Sequence, residues 1–86
     1  MTIRFHRDFE RQYKKLSKAI KNKLQERLKI FMSDEFHPIL NNHPLQGKYR
    51  GYRSINVMGD FRAIYTRRSK EIFIFVTVNT HSKLYG

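Results

Sequence analysis

Apolar positions along the chain change their spacing at Gly51. Before it, Phe9, Tyr13 and Leu16 recur at intervals of four and three, which sets them on one face of a helix running from about residue 6 or 7 to residue 16. Ser17 offers a capping hydroxyl for a second helix, in which Ile20, Leu24, Leu28 and Phe31 keep the helical interval down to about residue 33. The two helices are expected to form a hairpin. Lys14, Lys15, Lys18, Lys21, Lys23, Arg27 and Lys29 fall between the apolar positions and read as its solvated face, with a dedicated nucleic-acid helix as the alternative. Residues 1–5 read as a short strand. Residues 34–46, with Pro38, Pro44 and the Asn41-Asn42 pair, read as loop.

After Gly51 the period becomes two, with strands expected near residues 52–57, 60–66 and 71–78. The first two are joined so closely that they form a hairpin. A three-residue Val57-Met58-Gly59 loop would place Gly59 in the left-handed region, Asn56 opposite Asp60 and Ser54 opposite Arg62. One face then carries Ser54, Asn56, Asp60 and Arg62, and the other Ile55, Val57, Phe61, Ala63 and Tyr65. The apolar face suits packing against the helical hairpin, so the polar face stays open. A two-residue Met58-Gly59 turn is the alternative and would mix the faces. Residues 72–78 are apolar on both sides and belong inside the sheet, paired with the preceding strand and with residues 1–5 as a further candidate neighbour. The expected fold is α+β: a small antiparallel sheet with an N-terminal helical hairpin on one face.

Length narrows this picture to one domain spanning residues 1–86, since 86 residues fill a single small core. At 40% hydrophobic and 14% aromatic residues the chain is too rich in core formers to stay disordered. It contains no cysteine, which excludes disulfides, thiolate metal sites and a thiol nucleophile, and fits a reducing compartment. The longest apolar run is far shorter than the roughly 20 residues needed to span a bilayer. The first residues, Met1-Thr2-Ile3-Arg4-Phe5-His6, lack the apolar centre of a signal peptide. A cytoplasmic protein with no membrane partner is expected.

Charge changes the picture more. Eighteen Lys and Arg against seven Asp and Glu leave a net charge of +11, so a polyanion is the default partner. Residues 37–86 hold eight basic groups but only Asp60 and Glu71 as acids. Metal-dependent nucleases need clustered carboxylates to hold hard cations, and the predicted open face has only Asp60. The four histidines have no regular close spacing, so neither a metal site nor a cofactor is expected. Acid–base and electrostatic chemistry remains. If the chain cuts a phosphodiester, one group takes the proton of an RNA 2′-hydroxyl, cations stabilise the phosphorane, and another group protonates the leaving 5′-oxygen.

His81 is the first candidate for proton transfer, because an imidazole with a reference pKa of about 6.5 exchanges protons near neutrality; a surface histidine in a short tail is the alternative. His43, before Pro44, fits a proton carrier or a histidine bracing a turn. Asp60, at the exit of the hairpin, reads by itself as an ordinary turn residue. Arg62 would aim a guanidinium at the scissile phosphate or sit as a surface arginine on a strand. Tyr85 would stack on a base or tuck against the sheet. Lys48, Arg50 and Lys83 are candidate phosphate contacts, with solvated loop charges as the alternative. Arg53 is a basic candidate that the expected register turns towards the helices. Tyr49 and Tyr52 read as structural, His6 as a helix-start residue and His37 as a loop residue.

Taken together, His43-Pro44-Leu45 with Gly47, Gly51-Tyr52-Arg53, Asp60 with Ile64-Tyr65, Thr80-His81 and Leu84-Tyr85-Gly86 resemble the RelE/ParE superfamily of bacterial toxins, most of all its YafQ-type branch. The resemblance covers nearly the whole length. It implies an endoribonuclease that enters the ribosomal A site, meets rRNA there, cuts mRNA without metal, and is held inactive by a cognate antitoxin. It also implies active-site roles for His43, Asp60, Arg62, His81 and Tyr85. The chain departs from the YafQ-type pattern at Ser54 and Asn56, where that branch has an acid and a second histidine. Neither replacement carries protons at neutral pH, so more of the acid–base work falls on the other residues, with Ser54 and Asn56 left as contacts to RNA. Two other readings stay open: a ParE-like gyrase poison, and a non-catalytic RNA- or ribosome-binding protein.

Overall fold

The computed structural model describes residues 1–85. In chain order the elements are strand β1 (Thr2–Phe5), helices α1 (Arg7–Lys14) and α2 (Lys18–Ser33), strands β2 (His43–Pro44), β3 (Arg53–Met58), β4 (Phe61–Arg67) and β5 (Ile72–Thr80), and a last short helix α3 (His81–Tyr85). The five strands form one sheet in the order β1-β5-β4-β3-β2. No helix among the described residues is long and apolar enough to cross a membrane.

The helical hairpin forms where expected and its starts are capped. His6 Nδ1 accepts the amide N–H of Asp8 at 3.0 Å, and Ser17 Oγ accepts that of Ile20 at 3.3 Å, satisfying amides the first helical turn leaves free. The helices bury Phe9, Leu24 and Phe31 against Ile55, Val57, Ala63, Tyr65, Phe73, Phe75 and Val78 of the sheet. Phe31 is central to this layer. Its ring lies 4.8, 5.4 and 5.2 Å from those of Tyr65, Phe73 and Phe75, each edge to face, the arrangement aromatic quadrupoles favour.

Two expectations about the sheet need correction. The sheet is mixed, because β1 runs parallel to β5; β2 runs opposite to β1, so the helical segment brings the chain back to the end at which β1 finished, and three antiparallel turns later β5 runs the same way as β1. The β3–β4 register is also displaced by two residues. Asn56 faces Arg62 and Ser54 faces Ile64, and Asp60 stands in the turn with Gly59. Gly59 has the expected left-handed φ of 56°, but the turn is Gly59-Asp60 and an extra residue, Val57, is accommodated as a bulge. The Val57 side chain enters the core while its carbonyl accepts Arg27 Nε of α2 at 3.3 Å. Because the displacement is even, Ser54, Asn56 and Arg62 still share a face, apart from Ile55 and Ala63.

A second irregularity divides β5. Ile64 pairs with Thr77 but Tyr65 pairs with Phe75, leaving Val76 as the extra residue. Strict alternation would separate Val78 from Phe73 and Phe75; the bulge lets all three enter the helix-side core. Val76 instead joins a smaller cluster on the other face, around Leu45, Ile64 and Leu84, with Tyr49 and Tyr52.

The 34–46 segment is more ordered than a plain loop. Pro38–Leu40 makes one turn of 3-10 helix, and His43–Pro44 pairs with β3 as the edge strand β2, a position that tolerates proline. A polar network ties the segment down. Tyr65 OH donates to Glu35 Oε2 at 2.6 Å and accepts Asn42 Nδ2 at 2.7 Å, while Arg53 Nε donates to Asn42 Oδ1 at 2.7 Å. Arg67 pairs with Glu35 at 3.1 Å.

Candidate active site

The face without helices α1 and α2 carries the residues with proton-transfer chemistry, and three elements bring them there. His81 opens α3 directly after β5. Its amide N–H donates to the Asp60 carbonyl at 2.8 Å, so the β3–β4 turn and the start of α3 are tied by backbone. Thr80 Oγ1 accepts the Lys83 amide at 3.4 Å and supports the first turn of this short helix. The helix has a local signal, a threonine ahead of His81-Ser82-Lys83-Leu84-Tyr85, which reads as tail until Leu84 is seen to be buried.

One turn of α3 sets His81 and Tyr85 together, with ring centroids 4.7 Å apart. Tyr85 is 38% exposed and meets Tyr49 edge-on at 5.9 Å. Tyr49 in turn meets Tyr52 at 6.2 Å. Burial holds the Tyr85 phenol above its ordinary pKa and Tyr49 adds to the shift, while the Arg62 charge and the Ser54 hydroxyl act in the opposite sense. The phenol is therefore protonated at neutral pH and lies within the field of Arg62.

Arg62 donates through Nη1 to the carbonyls of Gly59 at 2.9 Å and Phe61 at 3.1 Å. Both bonds use one nitrogen, which leaves the rest of the guanidinium fork for an oxyanion. Ser54 is buried at 1% exposure. Its hydroxyl lies by the Tyr85 phenol without closing a hydrogen bond to it. Asn56 Oδ1 is likewise buried without a partner among the described residues.

His43 is directly across from Ser54 in the β2–β3 pair and is exposed. Its Nδ1 lies 2.8 Å from the Asn41 carbonyl. A carbonyl only accepts, so that bond assigns the ring proton to Nδ1 and leaves a lone pair on Nε2 of the neutral imidazole. Asn41 holds the left-handed φ of 45° that turns its carbonyl to this position.

The remaining candidates divide. Lys48 extends over the Tyr49 ring, 5.3 Å from its centroid, and Lys48, Arg50 and Lys83 are all exposed. Arg53 lies apart from this group: its side chain is committed to Asn42 and to the Phe36 ring, 5.2 Å away. Asp60 reaches His81 through its backbone, and its carboxylate is exposed in the turn. Among the described residues, no three of the His, Asp and Glu side chains gather where they could hold a metal ion.

The family model for YafQ, a bacterial toxin of type II toxin–antitoxin systems, matches residues 1–86. The chain belongs to the YafQ family. YafQ from E. coli superposes with a TM-score of 0.82 at 26% identity, over 99% of this chain and 98% of that one. The YafQ of the E. coli DinJ-YafQ toxin-antitoxin complex is 29% identical, with a TM-score of 0.75 and coverage of 99% and 97%. A YoeB/ParE toxin from Agrobacterium tumefaciens shares the fold at 16% identity, with a TM-score of 0.78 and coverage of 94% and 99%. No curated protein sequence matches the chain. As a member of the YafQ family the protein is a toxin of a toxin–antitoxin system.

Sequence reasoning missed the part of Tyr49. Reading it as structural captured its packing but not its position between Tyr85 and Tyr52, which arises only when the loop before β3 folds onto β5. No local pattern signals the Glu35–Tyr65–Asn42 network either, because Glu35 and Tyr65 are 30 residues apart.

Proposed function

We propose that the toxin is a metal-independent endoribonuclease that cuts mRNA in the ribosomal A site. The observation that carries this reading is the contact of the His81 and Tyr85 rings, with centroids 4.7 Å apart, and Arg62 close enough to act on the same phenol. Membership of the YafQ family supports it.

In this mechanism His43 takes the proton of the 2′-hydroxyl through its free Nε2, and the 2′-oxygen attacks the adjacent phosphorus. Arg62 stabilises the extra negative charge on the phosphorane. His81, as imidazolium, gives its proton to the departing 5′-oxygen, with Tyr85 setting the ring's position. The bond formed is 2′-O to P and the bond broken is P to 5′-O. The products are a 2′,3′-cyclic phosphate and a 5′-hydroxyl. Asp60 orients His81, and Lys48, Arg50 and Lys83 attract mRNA and rRNA phosphates. Of the other candidate RNA contacts, Ser54 is buried beneath Tyr85 and Arg53 is held by Asn42 and Phe36, so neither is given a contact with RNA; half-buried Asn56 keeps that part without carrying protons.

A cognate antitoxin restrains this activity, as suggested by the DinJ-YafQ complex of the E. coli relative. An acidic segment suits a chain of net charge +11. The test is translation of an mRNA by purified ribosomes with the toxin added, and primer extension to map new 5′ ends. Cuts within codons that require ribosomes and fade in His81→Ala and Arg62→Ala support the reading. Products with a 5′-phosphate would sink it, as would intact mRNA beside DNA broken in the presence of gyrase.

A further inference from the structure

A cleft of about 410 Å³ has Tyr49, the ring that meets Tyr85, as one of its walls. Val76 and Thr77, the two residues made neighbours on this face by the β5 bulge, line it from the sheet. Tyr49 and Tyr52 line it from the loop before β3, and His6 and Asp8 from the junction of β1 and α1. Lys48 also borders it. None of these residues except Lys48 and Tyr49 has a part near the proposed reaction.

The cleft combines three features that suit an unstacked nucleobase. Tyrosine rings supply surfaces on which any base stacks. Lysine supplies a cation for the phosphate that follows the base. His6 and Asp8 supply a hydrogen-bonding edge whose polarity is settled by the helix start. His6 Nδ1 accepts the Asp8 amide N–H at 3.0 Å, so the neutral ring carries its proton on Nε2 and presents a donor. The Asp8 carboxylate presents acceptors only. It is half-buried, its contact with Arg11 is long at 3.9 Å, and its charge is felt at the Tyr49 phenol.

We propose that this cleft is a nucleobase subsite that takes one base flanking the cut phosphate and selects adenine, cytosine or guanine over uracil. This rests on the endoribonuclease reading for its place beside the cut, but not for its chemistry. The first three bases offer an exocyclic amine to the Asp8 carboxylate. Uracil has no such amine, and its one N–H lies between two carbonyl oxygens that the carboxylate repels. A well-formed base-edge contact of this kind discriminates by roughly tenfold or more.

The test uses 2′-deoxy trinucleotides, which lack the attacking hydroxyl and so stay intact whatever the toxin's activity. They are titrated into the folded toxin while amide NMR shifts are followed. We expect shifts at Val76, Thr77 and Tyr49, and affinity for the adenine or cytosine trinucleotide about tenfold above that for the thymine trinucleotide, whose base has uracil's pairing edge. Asp8→Asn, which restores a donor at nearly unchanged shape, should bring that ratio close to one. Lys48→Ala should weaken all trinucleotides alike. Shifts confined to other parts of the molecule, or an unchanged ratio in Asp8→Asn, overturn the subsite. If the trinucleotides behave as expected while mRNA in translating ribosomes stays whole, the endoribonuclease reading fails and the subsite stands. If mRNA is cut and the ratio does not respond to Asp8→Asn, the subsite fails alone.

Discussion

The two faces of the sheet are made from the same strands yet treat their side chains in opposite ways. On the helix side, Phe31, Tyr65, Phe73 and Phe75 form a closed set of ring contacts, and the one polar atom among them, Tyr65 OH, has both a donor and an acceptor partner. On the other side, a small apolar cluster of Leu45, Ile64 and Leu84 lies beneath exposed His43, His81 and Tyr85. There Ser54 Oγ and Asn56 Oδ1 are buried without partners among the described residues. The helix-side face satisfies the polar atom at the centre of its rings, and the buried Arg27 Nη1 at α2, without a hydrogen-bond partner among the described residues, lies 3.7 Å from the Glu26 carboxylate. The other keeps polar groups unpaired beside a charged guanidinium, as expected where stability gives way to chemistry.

Substitutions can break this contrast from either side. The largest effect is expected from Phe31→Ala, which removes the ring meeting three others and should cost about 3–5 kcal/mol in a denaturant titration. That is a large part of the roughly 4–13 kcal/mol expected of a chain this size. On the open face, His81→Ala should leave the denaturation midpoint nearly unchanged while ribosome-dependent cutting falls by about 10²–10⁴-fold in a primer-extension time course. A large loss of stability instead would mean that the two faces are not separate in their roles.

Tyr65→Phe sharpens the comparison, since it removes the one polar atom at the centre of the closed face. It should cost about 1–3 kcal/mol by leaving Glu35 and Asn42 without their shared partner. It should also alter the alkaline limb of stability. Burial, followed by its bond to Glu35, holds the Tyr65 phenol well above the ordinary 10.0, so the folded state favours the protonated form. That contribution is complete below the unfolded value and is lost progressively as pH rises above about 10. Stability measured between pH 8 and about 11 should therefore fall less steeply in Tyr65→Phe than in the parent. The smallest effect is expected from Ser54→Ala. Removing a buried hydroxyl that has no partner should be neutral or stabilising by up to about 1 kcal/mol in thermal unfolding, the opposite sign to Tyr65→Phe.

The parts of the fold legible in the sequence are those set by local spacing. The helices, their caps at His6 and Ser17, the left-handed Gly59 and the position of residues 72–78 inside the sheet follow from intervals of three, four and two. The β3–β4 register does not, because a two-residue turn with a bulge and a three-residue loop give the same alternation of faces. Choosing between them depends on Arg27 taking the Val57 carbonyl from a helix 30 residues away in sequence. The parallel pairing of β1 likewise depends on how the whole chain closes.

For the candidate site, the residue types were legible and their company was not. Histidine, arginine and tyrosine in a segment poor in acids pointed to proton transfer on a polyanion, and the resemblance ordered them. That Tyr49 joins Tyr85 to a second cleft, or that Arg53 turns to Asn42 and Phe36, is decided by loops folding over strands. Residue identity and near-neighbour spacing determine which elements form and what chemistry they carry, since dihedral preference and amphipathic period act over a few residues. Which side chains converge is decided by tertiary packing, because the bulges at Val57 and Val76 and the network at Glu35 gain their energy from contacts between distant segments.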